Sequence, residues 1–287
     1  MKYKRMTTYI LLDSSFLIYR AWHSLNAENF KDENGNYTNA VYGFVKSIKT
    51  ITNIFKDEPS ISIVACFDSC SKNHDRTKIN NEYKSTRSVP NGLSHQFRYA
   101  YEACNALKIP YFYHKDYEAD DIIATFSNKY GSKNKVIIIS CDKDMYQLIN
   151  DNVVLYNIIK KEFFKKQDVY DKYNVLPQNM VKYQAIVGDS CDNIKGIKGI
   201  GIKTAYYLVN YEENKKFEDE KEQRKFNKLV EKFNKEENQD IYKRNLKLVK
   251  LITDCDIDFK DIPKFTKENF KLESWKLFAK TLNINSI

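Results

Sequence analysis

Three short apolar runs, TYILLD, SIVACFD and KVIIISCDKD, constrain this chain more than any other feature. Each ends in aspartate, at Asp13, at Asp68, and at Asp142 with Asp144. Runs of this length suit strands, and a strand that is apolar on both faces belongs in a sheet covered on both sides. Helical patterns fill the stretches between them. Leu93, Phe97, Tyr101, Cys104 and Leu107 recur at helical spacing and predict a helix from about Leu93 to Leu107. The expected fold is α/β, with a mostly parallel central sheet flanked by helices.

In such a sheet the ligand site lies beyond the carboxyl ends of the strands, where all three runs place an acid. Any one of these aspartates could serve as a turn or helix N-cap residue, but three on one edge point to a site. The stretch YEADDIIATF adds Glu118, Asp120 and Asp121. Taken alone it is an ordinary helix start, since acids favour the first turn. If that helix is fed from the same edge, its carboxylates join the cluster. Glu118 and Asp121, three apart, share a helix face, and Asp120 points elsewhere. So many carboxylates cannot all ionise together without compensating charge. Oxygen-only donors point to Mg²⁺ or Mn²⁺, and two groups of acids suggest two ions. A single-metal phosphatase also fits this step.

The chain carries 47 basic against 38 acidic residues, a net charge of +9. That balance suits a polyanionic partner such as nucleic acid, although a lysine-rich coding bias produces the same excess. Six scattered cysteines form no CxxC pair and only four histidines are present, which excludes a zinc site of ordinary spacing and favours a reducing compartment. The start, with Asp13 interrupting its apolar part, reads as a strand rather than a signal peptide. No apolar run is long enough to cross a bilayer, so a cytoplasmic protein is expected.

GDSCDNIKGIKGIGIKTAYYLV supplies the substrate argument. Gly196, Gly199 and Gly201 form a tight turn between two helical segments, with Lys198 and Lys203 beside it and Asp189 and Asp192 just ahead. Glycines let backbone approach a ligand, and N–H groups at a helix start bind phosphate. The pattern reads as a helix–hairpin–helix that grips a duplex by its backbone. A second basic stretch, DRTKINNEYKSTRSVPNG, holds Arg76, Lys84 and Arg87 beside Tyr83. Cations with an aromatic suit a single strand, though a solvated connector has the same composition.

LLDSSFLIYRAWHS, CFDS, RTKINNEYKSTR, YEADDIIATF, IISCDKDMYQL and GDSCDNIKGIKGIGIKTA occur in this order over roughly residues 7–210. Together they resemble the 5′-nuclease superfamily, the phage-type flap endonuclease/5′–3′ exonucleases and the 5′-nuclease domain of bacterial DNA polymerase I. The resemblance implies a nuclease core over 1–175, with a helical arch at about 70–105. A helical DNA-binding region over 176–287 would follow, with the helix–hairpin–helix at about 180–210. It implies one metal cluster of Asp13, Asp68, Glu118, Asp120, Asp121, Asp142 and Asp144, and a more distant group of Asp189 and Asp192. Lys84 matches the active-site lysine, Tyr83 a stacking aromatic, and Arg76 and Arg87 phosphate-holding arch positions. The implied cofactors are two Mg²⁺ (or Mn²⁺), with K⁺ at the hairpin. The implied substrate is DNA with a 5′ flap or 5′ end, or an RNA–DNA hybrid, cut by a monomeric protein during replication or repair. It would act in the cytoplasm, the host's if phage-encoded. The charged stretch after Asn210 is expected to be a solvated helix rather than a DNA contact.

Overall fold

The computed structural model describes residues 6–69, 75–210 and 217–284. Its centre is a six-stranded sheet of β1 (Thr8–Asp13), β2 (Ile61–Cys66), β3 (Tyr111–Phe112), β4 (Lys135–Ile139), β5 (Val153–Asn157) and β6 (Glu162–Phe164). The strand order is 3-2-1-4-5-6, parallel except for β6, which runs antiparallel to β5. The apolar runs thus pair as expected, and the order reverses at β1, so the crevice for a ligand opens between the carboxyl ends of β1 and β4.

Alternate side chains of the inner strands face opposite sides of the sheet. Ile10, Leu12, Ile63, Ile137 and Ile139 enter one buried core with α1 (Ser14–Ser24), α2 (Asn39–Ile54) and α4 (Ser94–Ala106). Leu11, Val64, Val136 and Ile138 enter the other with α5 (Ala119–Tyr130) and α7 (Met180–Val187). Between α2 and α4 comes the five-residue α3 (Asp75–Ile79), followed by turns. The expected arch covers this segment, and its first residues, 70–74, lie outside the described residues.

Beyond β6 the long elements among the described residues are helices, α6 (Lys166–Tyr173), α7, α8 (Ile202–Asn210), α9 (Glu220–Phe233), α10 (Glu236–Val249) and α11 (Glu273–Thr281), with an irregular stretch over 251–266 before the last. The last of these departs from a simple two-part division. Trp275, Ala279 and Leu282 bury in the first core, and Phe265 N–H donates to Ile61 O at 3.0 Å. The carboxyl-terminal segment therefore returns to the nuclease core instead of staying with the hairpin region.

Candidate active site and duplex-binding hairpin

β1 delivers Asp13 to the crevice, where its carboxylate caps α1 by accepting from Phe16 N–H at 3.1 Å. It also accepts from Ser140 Oγ at 2.7 Å, and the same hydroxyl accepts from Asp142 N–H at 3.1 Å. Ser140 thus joins the ends of β1 and β4. Asp68 lies two residues past β2, and its Oδ1 accepts from Ala119 N–H, the first residue of α5, at 2.9 Å. That bond feeds α5 from the same edge and carries Asp120 into the crevice. Asp142 opens the turn after β4 and accepts from Asp144 N–H at 2.9 Å.

The crowding raises the pKa of Asp13, Asp120 and Asp144. Burial, then the charge of Asp68, pushes Asp13 up to about 7. Burial, then Asp142 and Asp13, holds Asp120 well above the usual carboxylate range. Asp144 rises to about 8 through burial, then Asp142, Asp192 and Asp189. None of Asp13, Asp68, Asp120, Asp142 and Asp144 has an ion-pair partner among the described residues.

The other two acids of YEADD are neutralised by the protein. Arg76 forks onto Asp121, with both bonds at 2.7 Å, and its Nη1 reaches Glu118 Oε2 at 3.1 Å. Asp121 also accepts from the N–H groups of Ile252 and Glu118. Glu118 accepts from Tyr83 OH at 3.0 Å and Lys84 Nζ at 2.8 Å. Burial alone would raise Glu118, but Lys84 and Arg76 outweigh it and bring the pKa to about 2.

Three positions therefore differ from expectation. Asp121 has its acceptor sites filled by Arg76 and two backbone N–H groups, and stands as an arginine partner beside the unpaired acids of the crevice. Arg76, 6 % exposed, also donates to the carbonyls of Leu248 and Lys250, so it ties α3 to α5 and the end of α10 instead of facing phosphate. Tyr83 is equally buried, and its ring packs in a small core with Ala185, Ile194, Leu248 and Val249, unavailable for base stacking.

Lys84 and Arg87 do face the pocket. Lys84 adopts a left-handed φ of 51° and donates its N–H to Asp192 O, and its Nζ lies 3.8 Å from the Asp192 carboxylate. Half-exposed Arg87 pairs with the same carboxylate. Burial raises the Asp192 pKa against the pull of these two cations. Lys143 Nζ sits 3.0 Å from Asp189, and the Gln184 amide donates to Asp144 while its Oε1 is buried without a partner. Ser140 and Lys143 lie within IISCDKDMYQL and Gln184 four residues ahead of GDSCDNI, but nothing in their residue types marks them as site residues. Only proximity to the acids in three dimensions identifies them.

The donor set is thus all oxygen, surplus in negative charge and furnished with an orphaned amide oxygen, which fits a hard divalent cation. Among the described residues no three acid, histidine or cysteine groups converge closely enough to enclose one ion as they stand.

The hairpin follows directly. α7 ends at Gly188, and a small antiparallel ribbon pairs Gly188–Asp189 with Ile194–Lys195, inserted where the sequence suggested helix meeting turn. A side chain at Gly196 would collide with the Val187 carbonyl, so this glycine serves the packing of the turn. Gly199, with φ of 76°, and Gly201 lie at the exposed tip together with Lys198 and Lys203, and Gly201 leads into α8. The unexpected neighbour is Lys232 of α9, whose Nζ would meet any side chain at Gly199. The charged helix thus lends a cation to the tip.

Two family models match the chain: the 5′–3′ exonuclease N-terminal resolvase-like domain over residues 8–174, and the 5′–3′ exonuclease C-terminal SAM fold over 175–272. The 5′–3′ exonuclease of Aquifex aeolicus is 36 % identical over 89 % of this chain and 86 % of its own length. DNA polymerase I of Mycobacterium bovis is 37 % identical over 69 % of this chain, which spans 22 % of that polymerase. Among solved structures, a bacteriophage T5 flap endonuclease in a pseudo-enzyme-product complex with DNA and metal ions superposes with a TM-score of 0.62 at 22 % identity, covering 96 % of this chain and 98 % of its own. The chain belongs to the 5′–3′ exonuclease/flap endonuclease family of nuclease hydrolases.

Proposed function

We propose that the protein is a structure-specific, divalent-metal-dependent 5′–3′ exonuclease and flap endonuclease that cuts phosphodiester bonds near 5′ single-strand/duplex junctions. The observation that carries this reading is the sheet edge, where Asp13, Asp68, Asp120 and Asp142 stand without ion-pair partners and Asp13 and Asp120 are strongly destabilised as anions. Two Mg²⁺ ions, or Mn²⁺ in their place, would be held by these four with Glu118, and by Asp144, Asp189 and Asp192. Such ions acidify water and offset charge on the leaving oxygen.

The chain's own residues do the rest. Lys84, now on Glu118, presents its ammonium to the phosphoryl oxygens as charge builds there. Arg87, more exposed, holds a neighbouring phosphate. The exposed hairpin tip, with Lys198, Lys203 and Lys232, grips the duplex backbone without reading bases. K⁺ would bind hairpin carbonyls. Arg76 and Tyr83 act indirectly, by fixing Glu118. The T5 complex with DNA and metal ions supports both ligands. The substrates are DNA with a 5′ flap or 5′ end and RNA–DNA hybrids, which suits primer removal by a monomer in the cytoplasm. No helix among the described residues is long and apolar enough to cross a membrane.

A 5′-labelled flap duplex incubated with purified protein tests this. Short labelled product should appear near the junction with Mg²⁺ and disappear with EDTA. A tight complex without any cut in Mg²⁺ or Mn²⁺ would overturn it.

A further inference from the structure

We propose that the edge of the molecule opposite the acidic crevice carries a second site, a lysine-rimmed groove that takes a short acidic peptide bearing an aromatic side chain. The groove lies where α2 ends and β2 begins, at the amino end of the sheet. Two adjoining cavities of about 270 and about 300 Å³ share Thr52 and Lys267. Phe55, Ile61 and Phe265, almost fully buried, and the partly buried Phe270 contribute its apolar lining.

The rim is basic. Lys49, Lys56, Lys264, Lys267 and Lys271 line the cavities, and none has an ion-pair partner among the described residues. Two acids lie with them. Glu58 is already held by Lys135 Nζ at 2.6 Å and Thr8 Oγ1 at 2.9 Å, which leaves Glu268 against five lysines. A second, independent feature marks the same place: the Ser60 hydroxyl, in the groove wall, is buried with no hydrogen-bond partner. A buried hydroxyl without a partner is unusual in a folded protein, and this one lies in the wall that the lysines rim.

The two features together select the occupant. A phosphate backbone needs cations but gains little from an apolar hollow. An acidic peptide with an aromatic anchor uses both, since the ring fills the hollow and the carboxylates meet the lysines. The groove shares no residue with the crevice or the hairpin, so this site stands or falls apart from the nuclease reading.

The test uses the full chain and a fluorescein-labelled peptide of about ten Glu and Asp residues with one central Phe, followed by anisotropy at two salt concentrations. Saturable, salt-sensitive binding is expected. Lys56→Glu with Lys267→Glu should weaken it about tenfold or more, and alanine in place of the peptide's phenylalanine about fivefold. Mg²⁺-dependent flap cleavage and the melting temperature should match wild type, because both lysines are exposed. Absence of saturable binding up to about 1 mM peptide would overturn the proposal. So would equal binding by the charge-reversed variant, or by the peptide lacking phenylalanine. Displacement of the peptide by blunt duplex DNA, with weaker duplex binding in the variant, would reassign the groove to DNA and also overturn it.

Discussion

Glu118 and Asp120 stand two residues apart and meet opposite fields. Glu118 faces Arg76, Lys84 and Tyr83 and is held ionised, with a pKa of about 2. Asp120 faces Asp142 and Asp13 and resists ionisation. One helix start therefore has two sides: a side whose charge the protein already balances, and a side whose charge is balanced only when a cation arrives from solution. Isolated carboxylates at a helix N-terminus are stabilising. What sets Asp120 apart is that its neighbours across the crevice share its charge.

The sharpest way to break this contrast is Asp120→Asn or Asp142→Asn. Either should lower single-turnover cleavage on the order of 10³-fold or more while leaving flap-duplex affinity within a few-fold. Substantial turnover in Mg²⁺ would return these residues to the role of helix and turn caps. Arg76→Met probes the neutralised side. It strands Asp121 and Glu118 without their buried partner, a change that costs about 3–5 kcal/mol, and chemical denaturation should show it. Asp120→Asn should do the reverse and stabilise the metal-free protein, because it relieves repulsion. Equal signs for the two would contradict the division. The smallest effect belongs to the hairpin: Lys232→Ala should weaken duplex binding uniformly across sequences and reduce the salt slope by about 1, with the cleavage step unchanged.

Much of this arrangement was legible in the sequence. β1, β2 and β4 announce themselves as apolar runs, and a parallel sheet must then place Asp13, Asp68 and Asp142 on one edge. Helical spacing puts Asp120 on a different face from Asp121, but it cannot tell which face the protein neutralises. That distinction depends on Arg76, whose side chain arrives from 45 residues away and is itself oriented by carbonyls at the end of α10. Tyr83 and Arg76 look like surface residues in a basic stretch, and only tertiary packing buries them. Ser140 and Lys143 sit beside the aspartates of IISCDKDMYQL, and Gln184 lies on α7, but their residue types do not say that they face the acids. Lys232 lies on a helix whose composition suggests solvent on all sides, and it acquires a neighbour only when α9 docks beside the hairpin. The return of α11 to the core was equally hidden, since Trp275 and Leu282 name no partner.

If a solution cation completes the unpaired side, the stability of the metal-free protein depends on pH with a definite sign. Asp13 and Asp144 keep their protons to about 7 and about 8 when folded, above the ordinary value of 3.8. The metal-free folded chain then binds more protons than the unfolded chain from about pH 4 to 8, so its stability falls as pH rises through that window. Glu118 works the other way. Its contribution is present above its ordinary value of 4.5 and is lost as pH falls toward about 2. The most direct measurement is the melting temperature from pH 5.5 to 8.5, in EDTA and in Mg²⁺, for the wild type and Asp120→Asn. In EDTA the wild type should lose stability with rising pH, Mg²⁺ should restore it increasingly toward pH 8.5, and Asp120→Asn should blunt both effects. A wild-type curve that is flat in EDTA and unmoved by Mg²⁺ would contradict the account.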